Sequence, residues 1–201
     1  MVFIATGESS ISEIANEISE KSEPKGKIFF HTSNSLTSDE LTPIKERGGI
    51  VASLSPLQTF VDLKKDPMIF RGVFFLTEGD QKAVDLSKEL VSMLEGKIVI
   101  VKKEEKVFYH MAAVISSNFL ISLVKFAEAQ LEMTGNKEGI VPLLPLIKQT
   151  VSNMENMGIE KSLSGPVQRG EKDIIRLHMD KLKGDNRELY NLLSKKLSDI
   201  S

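Results

Sequence analysis

Five short apolar runs punctuate the first hundred residues, and none follows them: VFIAT (2–6), KIFFH (27–31), IVASL (50–54), VFFLT (73–77) and KIVIV (97–101). Each has strand length and none alternates apolar with polar, which is the pattern of parallel strands buried on both faces. Helical patterns lie between them. Ile11, Ile14, Ala15 and Ile18 share one helical face, Thr37 and Glu40 have capping-box spacing ahead of a second helix that ends near Gly48 and Gly49, and 80–94 forms a third with Gly96 as its stop. Strands alternating with helices predict an α/β sheet. Beyond residue 101 the periodicity is helical throughout, over about 107–133, 141–157, 172–182 and 186–200, with Gly135, Gly158 and Gly184 between the helices. Pro142 and Pro145 suit a first helical turn, and Asp185 with Glu188 has the spacing of a cap for the last helix. The charged run 102–106 separates the two patterns, so the expected division is an α/β domain over 1–104 and an all-α domain over 105–201.

Composition narrows the partners. A chain of 201 residues, 41% hydrophobic and 27% charged, can bury one substantial core or two small ones. Its 26 basic and 28 acidic residues leave a net charge of −2, which gives no electrostatic ground for nucleic acid or an anionic membrane. The basic pairs Lys64-Lys65 and Lys195-Lys196 read as solvated faces. With no cysteine, disulfides, thiolate metal sites and cysteine nucleophiles are excluded. The start, MVFIATGESS, lacks the basic region of a signal peptide, and no apolar stretch is read as approaching the ~20 residues that span a bilayer, so a cytoplasmic location is expected.

The stretch 163–178, LSGPVQRGEKDIIRLH, places polar groups on a bend: Gly165 and Pro166 stop a helix, Arg169 and Gly170 form a turn, and Glu171 and Asp173 open the next helix. Together with HTSNSLTSDEL from His31, SLSPLQTF from Ser53, YHMAAVISSN from Tyr109, and His178 eight residues after Gly170, it resembles the Rossmann-like proteins that carry domain of unknown function 2520. The resemblance runs the length of the chain. It implies a partial Rossmann-like parallel sheet followed by a helical domain like the C-terminal domain of 6-phosphogluconate dehydrogenase. It also implies an NAD(P)-dependent oxidoreductase related to β-hydroxyacid dehydrogenases and pyrroline-carboxylate reductases, with NADP or NAD as cofactor and hydride transfer to or from a small anionic substrate. By the same resemblance VFIATGES corresponds to a fourth strand and its loop, and no GxGxxG phosphate loop occurs in the 201 residues. Three readings stay open, a fragment or truncated gene model of a longer enzyme, a shortened homologue that pairs its exposed VFIAT edge in an oligomer, and a divergent non-nucleotide protein; a homodimer is expected, and the alternative to an enzyme is a non-catalytic binding or scaffolding homologue.

Ligands of open α/β sheets lie beyond the carboxyl ends of the strands, which selects the candidate residues. The resemblance implies that Thr6, Gly7 and Thr32 lie near the cofactor, although the family has Pro-Asp where Gly7-Glu8 stands here. The resemblance likewise implies that Ser33, Ser55 and Gln58 lie near the substrate, with Ser55 in place of a family histidine and Asn34 in place of a glycine. His31 and His110 are the candidate proton donors, His31 being equally suited to brace its loop. Asn118, eight residues after His110, falls on roughly the same helical stripe; the lysine that related dehydrogenases carry four residues earlier is Val114 here. Arg169 is the candidate anchor for a substrate carboxylate, its alternative being an ion pair with Glu171 or Asp173. His31, His110 and His178, the three histidines, lack the close spacing of metal ligands, and no metal site is expected.

Overall fold

The computed structural model describes residues 1–61 and 66–200, and the basic pair Lys64-Lys65 lies outside them. The five apolar runs form β1 (Val2–Ile4), β2 (Ile28–His31), β3 (Ile50–Pro56), β4 (Phe74–Gly79) and β5 (Lys97–Ile100), bonded side by side in that order. The β1–β2, β2–β3 and β4–β5 pairs are parallel. The β3–β4 pair is antiparallel, with Ser53 opposite Glu78 and Ser55 opposite Leu76, so the reading of all five runs as parallel is corrected at one joint. Apolar content does not encode strand direction. Among its described residues the 57–73 connection holds a 3-10 turn, Pro67–Phe70, instead of a crossover helix, and Leu57 already donates its amide to the Phe74 carbonyl at 2.8 Å as the chain returns.

Neighbouring residues on each strand point to opposite faces, which explains why the runs are apolar throughout. On one face α1 (Glu8–Lys21) and α2 (Thr42–Glu46) bring Ile11, Ala15 and Ile44 onto Ile4, Phe29 and Val51. On the other, α3 (Gln81–Met93) brings Ala83 and Val91 onto Phe30, Ala52, Leu54 and Phe75. β1 is an edge strand, so Val2 and Phe3 remain partly exposed while Ile4 is buried.

The chain divides into two compact units, Met1–Leu120 and Ile121–Ser201. The first closes with α4 (Lys106–Val114) and a π-helical turn, Ile115–Phe119. The second comprises α5 (Leu120–Glu132) from its second residue, α6 (Leu144–Met157), the short α7 (Ile159–Ser162), α8 (Lys172–Lys181) and α9 (Gly184–Ser198). α7 is additional to the sequence expectation. α9 starts earlier than its Asp185–Glu188 spacing predicts: Lys183 is the cap, and Asp185 stands in the first turn, where its charge complements the helix amino end. Leu182 is the one hydrophobic residue buried in the second unit among the described residues. The helical run Lys103–Glu132 is long and apolar enough to cross a membrane by length and composition, which corrects the expectation that no stretch approached that length.

Candidate functional site

The loop after β2 is fixed by buried polar groups. His31, fully buried, bonds the Thr37 carbonyl through Nε2 at 2.9 Å and accepts the Ser33 amide on Nδ1 at 3.2 Å, an arrangement that suits a neutral ring protonated at Nε2. Burial first, and the Lys106 ammonium second, push its pKa down to about 4. The geometry therefore supports the loop-bracing reading of His31, since both ring nitrogens are committed to backbone. Ser33 Oγ donates to Glu8 and accepts the Ser35 and Leu36 amides at 3.1 and 2.9 Å. The Ser33 hydroxyl foremost, and His110 in smaller measure, hold the Glu8 carboxyl below the usual carboxylate range.

Beneath this loop lies a pair that the sequence reading missed. Glu78, on β4, accepts the Ser38 amide, the Ser38 hydroxyl and the Ser53 hydroxyl, each at 2.7 Å. Lys106, the first residue of α4, is fully buried and donates to the Ser33 carbonyl at 3.1 Å, with Glu78 Oε1 at 3.8 Å. Burial pushes the Lys106 pKa down to about 8, against the pull of Glu78 and Glu8. The antiparallel turn of β4 is what sets Glu78 beside Ser53. A glutamate amid the apolar VFFLTEG was the available signal; Lys106 gave none, because it closes a charged run that reads as solvated.

Above the loop is a cavity of about 410 Å³ lined by Asn34, Leu57, Gln58, Tyr109, Ser116 and Ser117, among others. Asn34 donates its Nδ2 to the Pro56 carbonyl at 3.0 Å, while its Oδ1 is buried with no partner. Gln58 accepts the Thr59 amide at 2.9 Å. The hydroxyls of Ser116 and Ser117 return to the α4 carbonyls of Ala112 and Ala113 at 2.8 and 2.6 Å. Eight α-helical steps from His110 would carry Asn118 about 80° past two turns. The π turn advances less per residue and rotates Asn118 back toward the His110 stripe. Asn118 is exposed, with its Oδ1 2.8 Å from the Ser117 hydroxyl oxygen, whose one proton it shares with the Ala113 carbonyl.

The remaining candidates lie apart from this cavity lining. Thr6 and Gly7 are exposed at the start of α1, and Gly7, at φ −58°, has a backbone that any residue adopts. Thr32 lines a separate cavity of about 640 Å³ with Phe3, Leu54, Phe75 and Leu94. Ser55 is fully buried and its Oγ has no partner. In the second unit, Arg169 forms a two-pronged pair with Glu171, Nε to Oε1 at 2.7 Å and Nη2 to Oε2 at 3.0 Å, so the ion-pair alternative is the one observed. His178 bonds the Tyr190 hydroxyl through Nδ1 at 2.6 Å. Among the described residues no group of three or more His, Cys, Asp or Glu could hold a metal ion.

The sequence matches the family described as Domain of unknown function (DUF2520) over residues 73–197, more than half of the chain. The chain belongs to the DUF2520 family. Among solved structures, protein TM1727 of Thermotoga maritima superposes with a TM-score of 0.83 at 27% identity, covering 98% of this chain and 76% of that one. The candidate NADP oxidoreductase BF3122 of Bacteroides fragilis gives 0.81 at 21% identity, with 98% and 75% covered. A Streptomyces aurantiacus imine reductase gives 0.60 at 12% identity, with 98% and 73% covered. No curated protein shows significant sequence similarity to the chain. This DUF2520 chain thus has the Rossmann-like fold of these solved structures: a mainly parallel five-stranded sheet followed by a helical region.

Proposed function

We propose that the chain carries the nicotinamide and substrate side of an NAD(P)-dependent reductase site, centred on the Asn34–Gln58–Tyr109–Ser117 cavity. The observation that carries this reading is Asn34, a residue of that cavity's lining whose buried Oδ1 has no partner. Buried polar atoms are rarely left unsatisfied, and a carboxamide N–H is the donor that such an acceptor suits. Bound reduced nicotinamide would supply the hydride. The protein's groups would do the rest: Asn34 orients the carboxamide, Gln58 and Ser117 position a small polar substrate, and His110, half-exposed beside Glu8, exchanges a proton with solvent. The pyrophosphate end has no GxGxxG to hold it in these 201 residues. Arg169 could take an anion only by releasing Glu171.

The test separates the two ends of the cofactor. Titrated with reduced nicotinamide mononucleotide, the chain is expected to show amide shifts at Asn34, Gln58 and Tyr109, abolished in Asn34→Leu, while intact NADPH binds no tighter than the mononucleotide. Shifts confined to other residues, or none, would remove the proposal. The non-catalytic alternative draws on Ser55, whose hydroxyl is too weak an acid to replace the family histidine.

We also propose that the active form is a homodimer. Val107, Phe108, Ile115, Phe119 and Ile121 are each more than half exposed along the longest helical run, and Leu146, Ile159, Leu177 and Leu192 are equally bare in the second unit. A second copy of the chain offers matching apolar surface to cover them.

A further inference from the structure

The buried ammonium of Lys106 has no contact with the cavity lining except through the loop it holds. It donates to the Ser33 carbonyl, the residue before Asn34, and faces Glu78 on β4, Glu8 on α1 and His31 on β2. Glu78 in turn carries Ser38 and Ser53, so one carboxylate ties the 3-10 turn Ser38–Leu41 to β3. A fully buried lysine is costly, and an ordinary loop needs only a neutral donor at this carbonyl. We propose that Lys106 is the positioning residue of the site: with Glu78 it locks the 33–36 loop and so fixes Asn34 in its place in the cavity lining. This rests on the functional reading given above.

Its geometry makes the lock sensitive to charge. Burial brings the Lys106 ammonium to deprotonate near pH 8. Loss of that proton leaves the Glu78 carboxylate buried without a cation and weakens the bond to Ser33. Ligand affinity then falls as pH rises from 7 to 10. Over the same range folding stability moves the other way, because the unfolded lysine, with a pKa near 10.5, binds the proton that the native one releases. A loss of affinity in that window is therefore not an unfolding effect.

The experiment follows the Asn34 side-chain amide signals of the full chain by NMR from pH 7 to 10, with and without reduced nicotinamide mononucleotide. Expected without ligand is a titration of those signals with a midpoint near 8, absent in Lys106→Arg, whose charge persists across the range. With the mononucleotide, wild-type affinity is expected to fall tenfold or more by pH 10. Lys106→Met starts at that low level and stays flat, and Lys106→Arg retains wild-type neutral-pH affinity throughout. Asn34 signals that ignore pH, or a Lys106→Met chain binding as wild type, would overturn the proposal. Should Lys106→Met fail to fold, the wild-type titration and Lys106→Arg still decide. Absence of mononucleotide binding at every pH defeats the functional reading alone, since the ligand-free Asn34 titration reports on Lys106 independently.

Discussion

At the scale of single residues, His31 is the most exposed to test, because its ring is neutral, buried and bonded at both nitrogens. Its native pKa of about 4 lies below the unfolded value of 6.5, so its contribution to stability is complete above pH 6.5 and is lost as pH falls toward 4. Urea unfolding at pH 7 and pH 4.5 is expected to show a drop for the wild type that exceeds the drop for His31→Gln by roughly 2–3 kcal/mol. Equal drops would mean that the imidazole is not kept neutral. Some of this residue-level chemistry was legible in the sequence. Polar residues at the ends of the second and third strands, in a chain whose strands are otherwise apolar, pointed to Ser33, Ser55 and Gln58 together with the family resemblance. Lys106 was not legible, because its partner carbonyl lies 73 residues earlier and a lysine at a helix start ordinarily meets water. Arg169 was legible as a guanidinium on a turn, but only coordinates could show that Glu171 already occupies its fork.

Among the elements, the antiparallel β3–β4 joint sets the position of Glu78, and Gly79 makes that joint possible. At φ 134° it occupies a conformation that side chains rarely adopt, and a Cβ there would stand 2.5 Å from both the Ala52 Cα and the Val51 carbonyl oxygen. Gly79→Ala should cost roughly 2–4 kcal/mol, read as a shifted chemical-denaturation midpoint, because strain and backbone overlap act together. A change under about 1 kcal/mol would show that the joint relaxes freely. The strands themselves were visible in advance because burial on both faces leaves continuous apolar runs. Their directions were not, since a run of Val, Ile and Phe reads the same either way. The π turn at Ile115–Phe119 was equally hidden: YHMAAVISSN fits a straight helix, and only the hydrogen-bond ladder reveals the wider turn that brings Asn118 back toward His110.

For the whole molecule, the distribution of apolar side chains is uneven. The sheet unit has two buried clusters, one on each face, whereas the unit Ile121–Ser201 buries one hydrophobic residue among those described. Sedimentation velocity is expected to show concentration-dependent association in the micromolar range. Charged substitutions at the exposed apolar positions, Ile121→Glu with Leu146→Glu, should return the chain to monomer with the sheet unit intact; a monomer at every concentration of the wild type would refute this. A helical unit with so little interior of its own also has a consequence for how protection against solvent is shared out. Amides of β2 and β3 should exchange with deuterium only through opening of the sheet unit itself, whose two buried clusters are its own and owe nothing to a second chain, while those of α6, α8 and α9 exchange through a cheaper local opening that a second chain suppresses. Dilution then strips protection from one half of the polypeptide and leaves the other unchanged, and the line between slow and fast amides falls near residue 120.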